Sequence, residues 1–226
     1  MLDVLSFTLV SISALFFVVD PIGLAPIFLT LTRGYSRERK VATAKKACLV
    51  FLGVLTVFTI GGGLIFQLLG VSLGAFKIAG GILLLLTAID MLRSKPPDTR
   101  TTGPELGEAA EKDDVAVVPL GMPLLAGPGS IATVIVLAGR AEKPWYILAI
   151  LFAVVFTCVA TFLVLRAANL VDRFLGVSGR SILERVMGLL LAAIAVQFIV
   201  GGVRDAFPEI FPGSASAAMP LLPGIG

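Results

Sequence analysis

The chain contains no histidine, which removes Ser-His-Asp and Cys-His triads and every histidine-ligated metal site. Its two cysteines, Cys48 and Cys158, each lie in a long apolar run, where a thiol acts as a small hydrophobe; a disulfide framework needs a different composition. Charge is also scarce. Asp, Glu, Lys and Arg make up 15% of the 226 residues, whereas soluble domains carry about 25%. Hydrophobic residues reach 57% and mean hydropathy is +1.01. These values exclude a disordered chain, a coiled coil and an ordinary cytosolic enzyme. The net charge of +3 is small, and the basic residues fall between apolar runs rather than in a stripe, so no nucleic-acid surface is indicated. There is no Walker A loop for ATP-driven pumping. No acid–base pair or metal-ligand cluster falls within the apolar runs, so no catalytic residue, metal or cofactor is expected.

What remains is membrane. Residues 47–76, 115–139, 144–165 and 186–203 carry no charged side chain. At 1.5 Å rise per residue, about 20 apolar residues cross a bilayer core of about 30 Å. The run 47–76 is too long for one span, and Gly70-Val71-Ser72 divides it. The first run, 4–32, is interrupted at Asp20-Pro21. A signal peptide is not expected here, because the leader carries Asp3, no basic residue and no A-x-A-like site. Six spans are predicted, at 4–32, 41–69, 73–92, 116–139, 145–171 and 182–203. Fourteen Lys and Arg residues lie on one side of these spans and four on the other, so both termini are expected outside a prokaryotic plasma membrane.

The halves repeat. At an offset of 106 or 107, Pro21 falls on Pro128, Gly70-Val71-Ser72 on Gly176-Val177-Ser178, Gly81 on Gly188 and Asp90 on Gln197. Three spans per half is an odd number, so two such copies must sit in opposite orientations, a recurring secondary-transporter architecture. The expected fold is an all-α membrane protein of six transmembrane helices. They form two inverted three-helix repeats, at 1–92 and 115–207, with discontinuous first and fourth helices. A polar linker at 93–114 joins the halves, and a Pro/Gly-rich tail follows at 208–226.

Both breaks, Asp20-Pro21-Ile22-Gly23 and Gly127-Pro128-Gly129-Ser130, lie inside apolar runs. Proline removes an N–H and pushes its predecessor out of helical geometry; glycine permits the bend. Backbone groups freed at that depth cannot face lipid. Half-helix N-termini attract carboxylates and half-helix C-termini suit an ammonium group or a cation, so the two breaks offer both poles of a zwitterion. The candidate substrate-binding residues are Asp20, Pro21, Ile22, Gly23 and Leu24 at the first break and Ala126, Gly127, Pro128, Gly129, Ser130 and Thr133 at the second. Asp20, an intramembrane carboxylate, is read as functional by accepting an ammonium group or carrying a coupling proton; capping the second half-helix is the alternative. Ser130 and Thr133 donate either to substrate or back to their own helix. Lys77, Asp90, Glu184 and Arg185 sit near span ends, where snorkelling is expected, and Gln197 is read as interhelical glue.

Asp20-Pro21-x-Gly23-x-x-Pro26 and Pro123-Leu124-x-Ala126-Gly127-Pro128-Gly129-x-Ile131 resemble the MarC family, also described as small neutral amino acid transporters. The resemblance covers residues 4–203. It implies transport of a small neutral amino acid such as glycine or alanine, coupled to a proton or another cation. It carries the site onto Asp20, Pro21, Gly23, Gly127, Pro128, Gly129 and Ser130. Membrane lipids are the expected surroundings, and homo-oligomerisation is left open. Two other functions fit the same pattern: an exporter of amino acids or small drugs, and a non-transporting membrane scaffold.

Overall fold

In a computed structural model, residues 2–93, 115–141 and 143–207 are described, and no strand occurs among them. The elements are α1 (Leu2–Val19), α2 (Pro21–Leu31), α3 (Arg37–Leu69), α4 (Leu73–Leu92), α5 (Ala116–Leu125, a π-type segment), α6 (Pro128–Gly139), α7 (Pro144–Arg166) and α8 (Ala168–Ala206). Five stretches are long and apolar enough to cross a membrane: Val4–Leu31, Arg37–Gly62, Leu73–Leu92, Pro144–Arg166 and Ser181–Ala206. The pair α5 and α6, bent by 53°, makes a sixth if counted as one span. Apart from Arg93, the linker expected at 93–114 lies outside the described residues, as does the tail at 208–226.

Helix ends differ from the hydropathy reading for local reasons. α3 starts at Arg37, not at residue 41, because Ser36 accepts a hydrogen bond from the Arg39 N–H at 3.2 Å and the charged first turn is helical in water. The fifth span ends at Arg166, not at 171, since Ala167 leaves helical geometry. The following helix begins at once and turns at Gly176, where φ is 59°. Gly70, its counterpart in the earlier half, has φ 64°. Hydropathy locates the membrane-buried part of a helix; caps decide where the helix stops.

The most extensive helix pair is α4 against α8. They run antiparallel and approach closely at glycines, with Leu84, Ala88, Met91, Leu191 and Ala195 buried in a shared cluster. A Cβ on Gly202 would lie 2.6 Å from the Gly74 carbonyl oxygen, one on Gly81 2.8 Å from the Ala195 oxygen, and one on Gly188 3.1 Å from the Ala88 oxygen. Steps of seven residues along each helix keep these small residues on one face, which lets the backbones meet. The seam is fastened at one end by an ion pair between Lys77 and Asp205. Lys77 is therefore buried and paired, which corrects the expectation that it snorkels to water. Gln197 is exposed on α8 and does not bind helices together.

The main core joins α1, α2, α3, α5, α6 and α7 through residues such as Leu15, Leu24, Phe28, Phe51, Leu120 and Ile150. α1 and α2 pack along α7, while α5 and α6 pack along α3. α2 touches α8, and α6 touches α4. Between α3 and α7, the Cys158 thiol donates to the Cys48 carbonyl at 3.3 Å.

Adjacent glycines test the seam. Gly202→Ala is expected to cost about 1–3 kcal/mol, because the new methyl group meets backbone on both sides. Gly201→Ala, with open space around its Cβ position, should be neutral or stabilise by up to about 1 kcal/mol through helix propensity. Thermal unfolding of the two variants in detergent, compared side by side, measures the difference.

Candidate functional site

At the first break Asp20 takes the left-handed conformation, φ 49° and ψ 65°, between the 18 residues of α1 and the 11 of α2. Its own N–H still closes α1 by donating to Phe16 at 3.0 Å. Its carboxylate accepts from the Gly23 N–H at 3.1 Å, and its carbonyl accepts from the Leu24 N–H at 3.1 Å. Asp20 is thus an N-cap, with Pro21 in the first helical position as that site favours. The side chain is 3% exposed. Gly23 is required beneath it, since a Cβ there would lie 2.8 Å from the Asp20 Cγ. The amides of Gly23 and Leu24, expected to be bare, are therefore occupied, and Leu24 itself is core.

The break releases groups at the other pole. Pro21 has no N–H to offer the Phe17 carbonyl. The Gly23 amide, which would have closed on Val19, is diverted to the Asp20 carboxylate. Among the described residues no amide reaches the carbonyls of Phe17 or Val19. These oxygens sit at a helix C-terminus, which carries partial negative charge.

The second break is built differently. Val118 (φ −129°, ψ 123°) and Met122 (φ −141°, ψ 126°) are extended because each precedes a proline, and both of those peptide bonds are cis. The chain around them closes turns with a spacing of five residues, Leu120 N–H to Val115 at 3.3 Å and Ala126 N–H to Gly121 at 2.9 Å. α6 then begins at Pro128 with extended Gly127 as its cap residue and no capping side chain. Its first internal bond runs from Ile131 to Gly127 at 3.0 Å. That leaves the N–H groups of Gly129 and Ser130 without a backbone acceptor among the described residues. The Ser130 hydroxyl lies within bonding distance of the Leu125 and Gly127 carbonyls (2.9 and 3.0 Å), and Thr133 donates to Gly129 at 2.8 Å. Both hydroxyls are back-bonded, the alternative weighed for them from sequence.

The last turn of α1 meets the start of α6. A Cβ on Gly129 would sit 3.3 Å from Val18 Cγ1, two residues before Asp20. Around that contact lies a cavity of about 40 Å³, bounded by Val18 of α1, Leu83, Leu84 and Thr87 of α4, and residues 123–125 and 127–130 at the second break. A water molecule needs about 10–15 Å³ on the same measure, so the cavity holds a few waters. A larger cavity of about 570 Å³ opens further along α6, beside Thr59, Ser72, Leu73, Ile135, Ala138 and Ile147. It lies at the end of the bundle that holds the Gly70–Ser72 turn. Both cavities are walled by α4 and α6, and they are separated where Gly80 meets Ala132.

The structure thus brings Gly127, Pro128, Gly129 and Ser130 to one cavity with Val18 of α1, whereas Asp20, Pro21, Ile22, Gly23, Leu24 and Thr133 are not among its lining residues. Ala126 is buried in the core. Sequence reasoning passed over Val18 and the α4 wall, because Leu83, Leu84 and Thr87 carry no pattern beyond apolar helix. Among the described residues no group of three or more Cys, Asp or Glu side chains could hold a metal ion.

A family model described as MarC family integral membrane protein matches residues 5–207. A UPF0056 membrane protein of Methanocaldococcus jannaschii is 40% identical over 89% of this chain and 98% of its own length. The UPF0056 membrane protein YvbG of Bacillus subtilis is 35% identical over 87% of this chain and 94% of its own, and YhcE of Escherichia coli is 34% identical over 87% and 91%. No solved structure gives a significant match.

The cap geometry predicts a graded stability series. Asp20→Ala should cost about 0.5–2 kcal/mol of unfolding free energy, as the loss of an N-cap does, while Asp20→Asn retains the acceptor and should cost less. Gly23→Ala should match Asp20→Ala, because its methyl group drives the carboxylate off the same amide. Denaturant unfolding in detergent ranks the three.

Proposed function

The chain belongs to the MarC family of integral membrane proteins, and from that premise we propose that it is a secondary transporter of small neutral amino acids, the glycine and alanine class, with Asp20 carrying a coupling proton. The observation that carries the reading is the approach of the last turn of α1, at Val18, to the start of α6 at Gly129. Bare carbonyls at the end of α1 and bare amides at the start of α6 supply the acceptors and donors that an ammonium and a carboxylate need. Depth agrees. The half-helices flanking the breaks on their shorter sides have 10 to 12 residues, about 15–18 Å each, or half a bilayer core.

An inverted relation between 1–92 and 115–207, with discontinuous first and fourth spans, is part of this reading. It is supported by paired contacts. α1 and α2 lie on α7 as α5 and α6 lie on α3, and α2 meets α8 as α6 meets α4. The seam residues exchange under the same operation, Gly81 with Gly188 and Ala88 with Ala195. Such symmetry gives alternating access from one sequence. With both termini outside, as the Lys and Arg distribution favours, the 570 Å³ cavity faces outward and the small one is closed. An amino acid is too large for the closed cavity, so α4 and α6 separate during the cycle.

Proteoliposomes test this. Purified protein should accumulate labelled glycine or alanine against its gradient when a pH difference is imposed, and Asp20→Asn should keep exchange but lose accumulation. Unchanged accumulation in the variant rejects the proton role; absence of flux for any amino acid rejects transport. Net flux in oriented vesicles separates uptake from export. A topology reporter placed after Phe207 should be active only on the outer side of the plasma membrane.

A further inference from the structure

The chain has only two cysteines, and the fold sets them side by side. Cys48 lies on α3 and Cys158 on α7, 110 positions apart along the chain. The Cys158 thiol donates to the Cys48 carbonyl at 3.3 Å, and the two thiols are also hydrogen-bond partners of each other. Packing alone does not call for this pairing. Ala44 and Val154, one turn away on the same two helices, fill the core without sulfur.

Both thiols are free, and their access differs. Cys48 is 3% exposed, whereas Cys158 is half-buried. Thiol oxidation follows access, and a sulfenic acid formed beside a second thiol condenses with it to a disulfide. The pair lies toward the basic side of the spans. Exposed Lys45 is one turn before Cys48, and exposed Arg166 is about two turns after Cys158. A small neutral oxidant reaches that depth without a polar path.

We propose that Cys48 and Cys158 form a reversible oxidation site, closed by hydrogen peroxide into a disulfide that ties α3 to α7. The Cys158 sulfur reacts first: an S–O bond forms, the O–O bond breaks, and the displaced oxygen leaves as water with the thiol proton. The Cys48 sulfur then attacks the sulfenic sulfur. The S–S bond forms, the S–O bond breaks, and the oxygen takes the Cys48 proton and leaves as a second water. Two thiols and one peroxide thus give one disulfide and two waters, and a dithiol reductant restores both thiols. The bond joins the half at 1–92 to the half at 115–207, so it restrains the unfolded chain and holds α3 against α7. The inference does not depend on the transport reading.

Peroxide treatment of the purified full chain in detergent, after reduction and removal of the reductant, tests the site. The expected product is a single chain two hydrogens lighter, with neither cysteine open to maleimide after denaturation and with Cys48 and Cys158 joined in one pair of proteolytic peptides. Its apparent unfolding temperature should rise by about 5 °C or more and fall back with dithiothreitol. Cys48→Ala and Cys158→Ala should each fold and show no such rise. In Cys48→Ala, peroxide should leave a sulfenic acid on Cys158 that dimedone labels, because the second thiol is missing. Two thiols still open to maleimide after peroxide, oxidation to sulfinic or sulfonic acid without a cross-link, or a disulfide between two molecules would each overturn the site. A mapped bond without a thermal rise overturns the restraint on α3 and α7. An equal rise in either alanine variant places the effect of peroxide elsewhere and overturns the assignment.

Discussion

A peptide group at the centre of a bilayer must find its hydrogen bond within the protein or in something the protein binds. Most of this chain obeys by being helix. Two short stretches do not, and the remaining architecture follows from where they can be tolerated. Pro21 and Pro128 withhold amides. The half-helices that follow them pack against α7 and α8 in the first case and α3 and α4 in the second. The two breaks are resolved unequally. Asp20 heals most of the first with its own carboxylate and carbonyl, while the second has no capping side chain and runs through a π-type segment with two cis prolines.

That inequality gives each break one sign. By taking the Gly23 amide, Asp20 removes a donor and frees an acceptor, so the end of α1 presents oxygen. With no side chain over the start of α6, that end presents N–H. An amphoteric ligand would meet opposite polarities across the Val18–Gly129 contact, with little side-chain machinery required.

Much of this was legible in the sequence, and the limits have physical causes. Charge-free runs and Pro-Gly clusters located the spans and both breaks, because membrane burial and proline act locally. Helix ends escaped because caps such as Ser36 and turns such as Gly176 act outside the apolar stretch. Lys77 was misread because its partner, Asp205, is distant along the chain and adjacent only once α4 and α8 pack. The Asp20 cap was one of the readings open from sequence, and the hydrogen bond that its carboxylate accepts from the Gly23 amide shows it.

The seam between α4 and α8 bears on how such a molecule could change shape. Backbones that meet at glycines, with apolar side chains interlocked between those contacts, oppose slip or roll of either helix. The pair behaves as a keel shared by both halves, pinned at one end by Lys77 and Asp205. Displacement must then fall to the contacts flanking it, α6 on one side and α2 on the other. Those carry the two breaks, so the elements freest to swing are also those that hold the exposed dipoles.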